Sequence, residues 1–330
     1  MSRTPLRQDS QSASQSRHII SPATISRVLL IAANPLDQDS LTPSQPNRVL
    51  NAPVLLRLWH LGSLDAPTVA VTWSLAFAWA ARVQLPAWVP ILLALGTWAV
   101  YIGDRLLDAR TALACGEHHR LRERHHFHWR NRNLFIASAT LAACAAAAII
   151  FVLMPVGARE RNAVLALAAL AYFAAVHSRR RSPAWLRFFL SKEFLVGTIF
   201  TAGCALPTFS RLPASHLNIL LRGSFFTYIL FFAFLAWLNC YAIEHWESAK
   251  SSRVFAVAIF LSCIGFVLSA ALYRIDIRSA ALLGTGAIAA LLLAFLDTLR
   301  GRMTVLSLRA SADLVLLTPL LLIPLAMRIP

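Results

Sequence analysis

The chain has 330 residues, of which 58% are hydrophobic and only 14% charged. Its 31 Lys and Arg outnumber 15 Asp and Glu, for a formal charge of +16. A water-facing surface needs far more charge than this, so an ordinary soluble enzyme is excluded.

Residues 1–52 differ from the rest. They are rich in Ser, Gln, Pro and Arg, as in RQDSQSASQSR and LTPSQPNR, and are interrupted only by the short apolar stretch VLLIAAN at 28–34. That stretch is too short to span a bilayer and no small-residue cleavage pattern follows it, so no signal peptide is expected. A disordered cytoplasmic tail is the expectation here. Residues 53–61, PVLLRLWHL, mix basic and apolar side chains in a helical pattern suited to the membrane surface.

From there on, runs of about 18 or more mostly apolar residues recur, each long enough to cross a bilayer. Nine are read, at roughly 64–83, 86–107, 134–155, 162–178, 193–209, 220–243, 254–273, 277–297 and 312–328. Backbone groups at the bilayer centre must bond within their own segment, so these are helices. The expected fold is all-α and integral to the membrane, with nine transmembrane helices over 53–330.

With the N-terminus in the cytoplasm, 23 Lys and Arg fall inside and 8 outside, the bias that the positive-inside rule requires. The long polar segments 109–133 and 177–193 are then internal, while 156–161 and 274–278 are short external connections. A working surface facing the cytoplasm follows, in a cell inner (plasma) membrane. Much of the positive charge is thereby membrane topology, and nucleic acid is not expected as a partner. The five cysteines form no CxxC pair, so neither a disulfide framework nor a zinc motif is implied.

The carboxylates are sided. Asp104 and Asp108 close the second apolar run in WAVYIGDRLLDAR, and Glu244 and Glu247 close the sixth in WLNCYAIEHWE. At spacings of i, i+4 and i, i+3, each pair projects from one helix face. Charge at that depth is costly and is usually retained for function. Mg²⁺ prefers oxygen ligands and shares its shell with phosphates and water, so two such pairs, with Asn239 on the turns preceding Glu244, can hold Mg²⁺ on a diphosphate. Arg105, Arg179, Arg180 and Lys192 fall at the same mouth, where cations stabilise phosphate charge. Asp65, Glu193, Asp297 and Asp313 share that side too, although interfacial pairing with arginine is their plainer account. His118, His119, His125, His126 and His128 have no standard ligand spacing and read as a basic amphipathic helix. Aromatic residues on the second and sixth spans, Trp98, Tyr101, Phe231 and Trp237 among them, suit an apolar chamber or simple packing.

These motifs resemble the UbiA-type intramembrane prenyltransferase superfamily, nine-helix proteins with acidic motifs after the second and sixth helices. In VYIGDRLLD, Asp104 and Asp108 match the last two acids of the family pattern Asn-Asp-x-x-Asp-x-x-x-Asp, while Val100 and Tyr101 stand at its first two positions. In NCYAIEHWE, Glu244 and Glu247 replace the family's pair of Asp. The region from Arg179 to Pro207 is similar in style too, a basic cluster followed by KEFLVGTIFTAGCALP through a Gly-containing fifth span. The resemblance implies a UbiA-like bundle and Mg²⁺-dependent prenyl transfer from a polyisoprenyl diphosphate to a lipophilic acceptor. It implies Asp104, Asp108, Glu244 and Glu247 as metal ligands and Arg105, Lys192, Arg179 and Arg180 on the diphosphate. Two alternatives stand beside it: a non-catalytic relative binding an anionic isoprenoid or lipid, and a cation transporter using the acidic ring.

Overall fold

The computed structural model describes residues 53–114, 123–177, 192–212, 219–248 and 253–327. The expected tail at 1–52, the histidines His118 and His119, and the basic residues Arg179 and Arg180 lie outside the described residues. Among those described, every regular element is helical. In chain order they are α1 (Val54–Leu61), α2 (Asp65–Ala80), α3 (Trp88–Ala114), α4 (Glu123–Arg130), α5 (Arg132–Val152), α6 (Val156–His177), α7 (Lys192–Phe209), α8 (Ile219–Ser248), α9 (Val254–Leu272), α10 (Ile277–Thr298) and α11 (Val305–Val315). A 3₁₀ turn, Thr318–Leu322, and the single turn α12, Ile323–Ala326, follow.

Among the described residues, six segments are long and apolar enough to cross a membrane: Trp88–Ala114, Arg132–Val152, Gly223–Ser248, Val254–Leu272, Ile277–Thr298 and Val305–Ala326. Their outward faces carry large apolar side chains, such as Leu141 and Phe151 on α5 and Phe260 and Val267 on α9, all more than 60% exposed. Apolar surface on that scale belongs against lipid, and the chain is a multi-pass membrane protein. The other expected crossings are helical but different in character. α2 has 16 residues, about 24 Å of helix. α6 begins at Val156, directly after Pro155, so Arg159, Glu160 and Arg161 lie on a helix where a loop was expected. Proline just before a helix costs no hydrogen bond and pre-sets the first turn.

The last expected crossing is also redrawn. α11 starts at Val305, earlier than anticipated, and the helix breaks near Leu316 ahead of Pro319. Proline cannot donate to the ladder. The Leu316 carbonyl instead accepts the indole N–H of Trp73, at 2.8 Å.

The core lies between α2, α8 and α10. Trp73 stacks on Phe232 with ring centroids 4.0 Å apart, and Phe77 and Tyr228 extend the aromatic column. α9 and α10 pack through small residues, with Ser262 donating to the Ala287 carbonyl and Ser269 to that of Ala280. Asp276 is not a lipid-facing acid: it caps the start of α10, accepting from the Ser279 backbone N–H.

α7 meets α8 at Gly197, where an added Cβ would stand 2.9 Å from the Trp237 backbone nitrogen. Backbone cannot move aside as a side chain can. We expect Gly197→Ala to cost about 1–3 kcal/mol, read as a lower thermal midpoint in detergent. Gly203→Ala on the same helix meets nothing within 4 Å and should leave the midpoint unchanged or slightly raised.

Candidate functional site

One cavity of about 830 Å³ runs between α3, α7 and α8. Each helix contributes a stripe at helical spacing: Thr97, Tyr101, Asp104 and Asp108 from α3; Glu193, Val196, Phe200 and Gly203 from α7; Asn239, Ile243, Glu244 and Glu247 from α8. Both acidic pairs singled out in the sequence therefore face the same space. α3 and α8, at 27 and 30 residues, are about 40 and 45 Å long, more than a hydrocarbon core of about 30 Å requires.

The body of the cavity is apolar, walled by Leu92, Leu93, Val100, Ile199 and Phe200. Arg124, Arg309 and Asp313 join the acids at one end, and Trp88, Arg159, Asn162 and Arg211 stand at the other. Arg159 is held by the Met154 and Phe151 carbonyls, and its guanidinium lies over the Phe151 ring.

The four expected carboxylates are not equivalent. Glu247 accepts from Arg309 at 2.9 Å and from Arg124 at 3.4 Å, with its side chain 5% exposed. Glu244 is exposed on the neighbouring turn, and Asp104 and Asp108 are half-buried. Arg105 turns away from these acids into the helix interface, on the buried face that also carries Ile102 and Ala109. There it donates to the His60 carbonyl at 3.2 Å and to Asp65 at 3.3 Å, under cation–π contact with Tyr101. Asn239 donates to Asp313 at 3.1 Å. Lys192 opens α7, and its side chain lies outside the described residues.

A second polar cluster lies beneath this end. The turn between α1 and α2 places Ser63 in the left-handed region, at φ 58°, unusual for a residue with a Cβ. This sharp turn brings His60 and Asp65 face to face, with the His60 Nδ1 2.7 Å from Asp65 Oδ2 and 3.6 Å from Asp313 Oδ2. Ser63 Oγ pairs with His128 Nε2 at 2.9 Å, and His128 Nδ1 contacts the Arg124 carbonyl. α4 is thus no loosely attached basic helix: Arg124, His125 and His128 are buried by it.

Sequence reasoning missed Arg309, Arg124 and His60 and treated Asp65 and Asp313 as interfacial. A signal existed for Arg309, which precedes Asp313 by one helical turn inside an apolar run. His60 carried none: Asp65 is only five residues on, but the Ser63 turn that brings them together leaves no mark in the hydropathy pattern, and Asp313 lies far along the chain. Asp297 does serve as a local anchor, accepting the Trp246 indole N–H at 2.7 Å.

α4 lies outside the membrane-crossing segments, and its buried groups are shifted. Burial, and then the Arg309 guanidinium, pushes Arg124 down to about 9, still charged at neutral pH. Burial, followed by the Arg105 cation, pushes His128 down to about 4, against weaker opposing effects of the Arg124 carbonyl and Asp65. A histidine held below its unfolded value stabilises the fold fully above about pH 6.5, and that contribution is lost as the pH falls toward 4. We expect the detergent-solubilised protein to lose on the order of 3 kcal/mol across this window. His128→Gln should flatten the pH dependence of its thermal midpoint.

Fold and site together define an all-α, multi-pass membrane protein with an apolar chamber capped at one end by mixed charge. No protein-family model, curated protein or solved structure matches the chain.

Proposed function

We propose that the chain is a divergent UbiA-like intramembrane prenyltransferase, using Mg²⁺ to transfer a prenyl group from a polyisoprenyl diphosphate to a lipophilic acceptor. The observation that carries this reading is the convergence of two acidic helix ends and two buried arginines on one apolar cavity. Nine crossings would follow if α2, α6 and α7 cross beside the six long apolar segments. The acidic end would then face the cytoplasm, with the N-terminus on that side of an inner membrane.

The donor set fits a hard cation: Asp104 and Asp108 from α3, and Glu244 from α8 across the cavity, offer carboxylate oxygens to one space. These residues would hold Mg²⁺, which when bound supplies positive charge to a departing diphosphate. Arg124 and Arg309 present guanidinium groups to the same end, suited to phosphate oxygens. Glu247 keeps both arginines in place. The apolar walls shelter the chain, while Tyr101 and Phe200 offer ring faces to an allylic cation. In the transfer, the allylic C–O bond breaks with its electron pair leaving on the diphosphate. A nucleophilic atom of the acceptor bonds the allylic carbon and gives up its proton.

A second reading rests on Val100 and Tyr101, which line the cavity at the positions where the family pattern has Asn and Asp. With those ligands missing, the same chamber would bind an anionic isoprenoid or lipid without turnover. A cation path is disfavoured, because the acids along the cavity gather at one end and leave its apolar middle uncharged.

The test is saturable binding of labelled farnesyl and geranylgeranyl diphosphate to the purified protein, with Mg²⁺ and with EDTA. Binding that disappears with EDTA supports the diphosphate site, and release of diphosphate on adding lipophilic acceptors selects the enzyme. Binding indifferent to Mg²⁺, or none, removes the prenyltransferase reading.

A further inference from the structure

We propose that His60, Asp65 and Asp313 hold a divalent first-row transition-metal ion, beside the acidic end of the cavity. Among the described residues these form the one group of three potential ligands whose donor atoms all lie within 4.8 Å of one another, and all three are buried. They come from three separate elements, α1, α2 and α11, so the site exists only in the folded protein.

His60 is the observation that points to a ligand. It is wholly inaccessible to solvent, its Nε2 has no hydrogen-bond partner, and its Nδ1 faces only the carboxylates of Asp65 and Asp313. Its Nδ1 stands 2.7 Å from Asp65 Oδ2, a distance that would be a strong hydrogen bond if the atoms were aligned for one. Close contact without alignment is what two ligands in adjacent coordination positions show. Ligands about 2.1 Å from one ion stand about 3.0 Å apart at right angles and about 3.6 Å apart at 120°. The two contacts of Nδ1, 2.7 and 3.6 Å, bracket that geometry.

Two neighbouring atoms are also unspent. Asp313 Oδ2 and Asn239 Oδ1 are buried without hydrogen-bond partners, although Asn239 donates its amide N–H to the other oxygen of Asp313. Charge counts the same way. Asp65 and Asp313 bring two negative charges; Arg105, 3.3 Å from Asp65 Oδ2, offsets one, and Arg309, whose ion pair is with Glu247, acts on Asp313 only through its field. A buried carboxylate without compensation is expensive, and a bound cation removes the cost. An imidazole nitrogen among carboxylates selects Zn²⁺, Mn²⁺ or Fe²⁺ over Mg²⁺, which favours oxygen alone. Asp313 and Arg105 line the cavity, which gives an ion a route in and sets it next to any bound ligand. The site stands whether or not the chamber binds a diphosphate.

The test uses the full chain, freed of any tag and stripped with chelator, then titrated with Zn²⁺ and with Co²⁺ as a spectroscopic probe. One tightly held equivalent is expected, unchanged in Asp104→Asn with Asp108→Asn. His60→Ala and Asp313→Asn should each weaken it at least tenfold. Asp313→Asn keeps an acceptor for Asn239, so a monodisperse gel-filtration peak is expected with the loss. Asp313→Cys should retain Co²⁺ and gain a thiolate-to-cobalt charge-transfer band. Wild type binding no more Zn²⁺ than the His60→Ala, Asp313→Asn double variant, or Co²⁺ bound to Asp313→Cys without that band, overturns the proposal. In that case the cluster is a metal-free polar network joining His60, Asp65, Asp313 and Arg105.

Discussion

Changing Asp104 and Asp108 together to asparagine should weaken Mg²⁺-dependent binding of geranylgeranyl diphosphate by at least a hundredfold, roughly 2.7 kcal/mol. Asparagine keeps the shape and an oxygen but removes the charge that a hard cation requires. Both residues are half-buried on the cavity stripe that also carries Thr97 and Tyr101, so the helix face itself should survive. The thermal midpoint of the unliganded protein is expected to move little. Glu244→Gln, at an exposed position across the cavity, should cost less, on the order of tenfold. Equilibrium binding with a radiolabelled ligand at fixed Mg²⁺ reads both variants against the wild type. Undiminished metal-dependent affinity in the double variant would reassign the diphosphate to the arginine side and remove these aspartates from the site.

The legible part of this molecule was what local pattern and hydropathy encode. The helical class, the position of α3 and α8, and the facing of Asp104, Asp108, Glu244 and Glu247 all followed from apolar runs ending in acids at i, i+3 or i+4. Nothing local revealed which acids meet which cations. Arg105 adjoins Asp104 in sequence yet pairs with Asp65, forty residues away, because a 100° step on the helix turns it into the interface. Glu247 was read as a ligand like Glu244, but three residues along α8 it meets α4 and α11. Those contacts depend on where a short amphipathic helix docks, and the pattern of ERHHFHWR fixes its class without fixing its address. Breaks were misplaced for a similar reason. Pro155 starts α6 and Pro319 ends α11, and hydropathy averages through both.

The second large effect concerns Glu247, and it separates structure from chemistry at this end of the cavity. Its carboxylate is the shared partner of Arg124 and Arg309, at 5% exposure against 10% and 14%. Glu247→Gln leaves two guanidinium groups buried side by side with their common counter-charge gone. Breaking a buried pair in this way costs about 3–5 kcal/mol, so a large fall in thermal midpoint is expected. Adding Arg309→Gln should recover part of it, with a coupling of about 1–3 kcal/mol in the double-mutant cycle. The ion pair of Arg57 with Glu123 supplies the contrast: at 33% and 48% exposure it sits in solvent, and Glu123→Gln should change stability by less than about 1 kcal/mol. Binding then distinguishes the roles of Glu247. If it serves by anchoring arginines, Glu247→Gln frees both for a phosphate, and diphosphate affinity measured below the unfolding temperature holds or rises. If Glu247 instead ligates the metal, affinity falls with that of Asp104→Asn and the two losses fail to add, because each removes a ligand of the same ion.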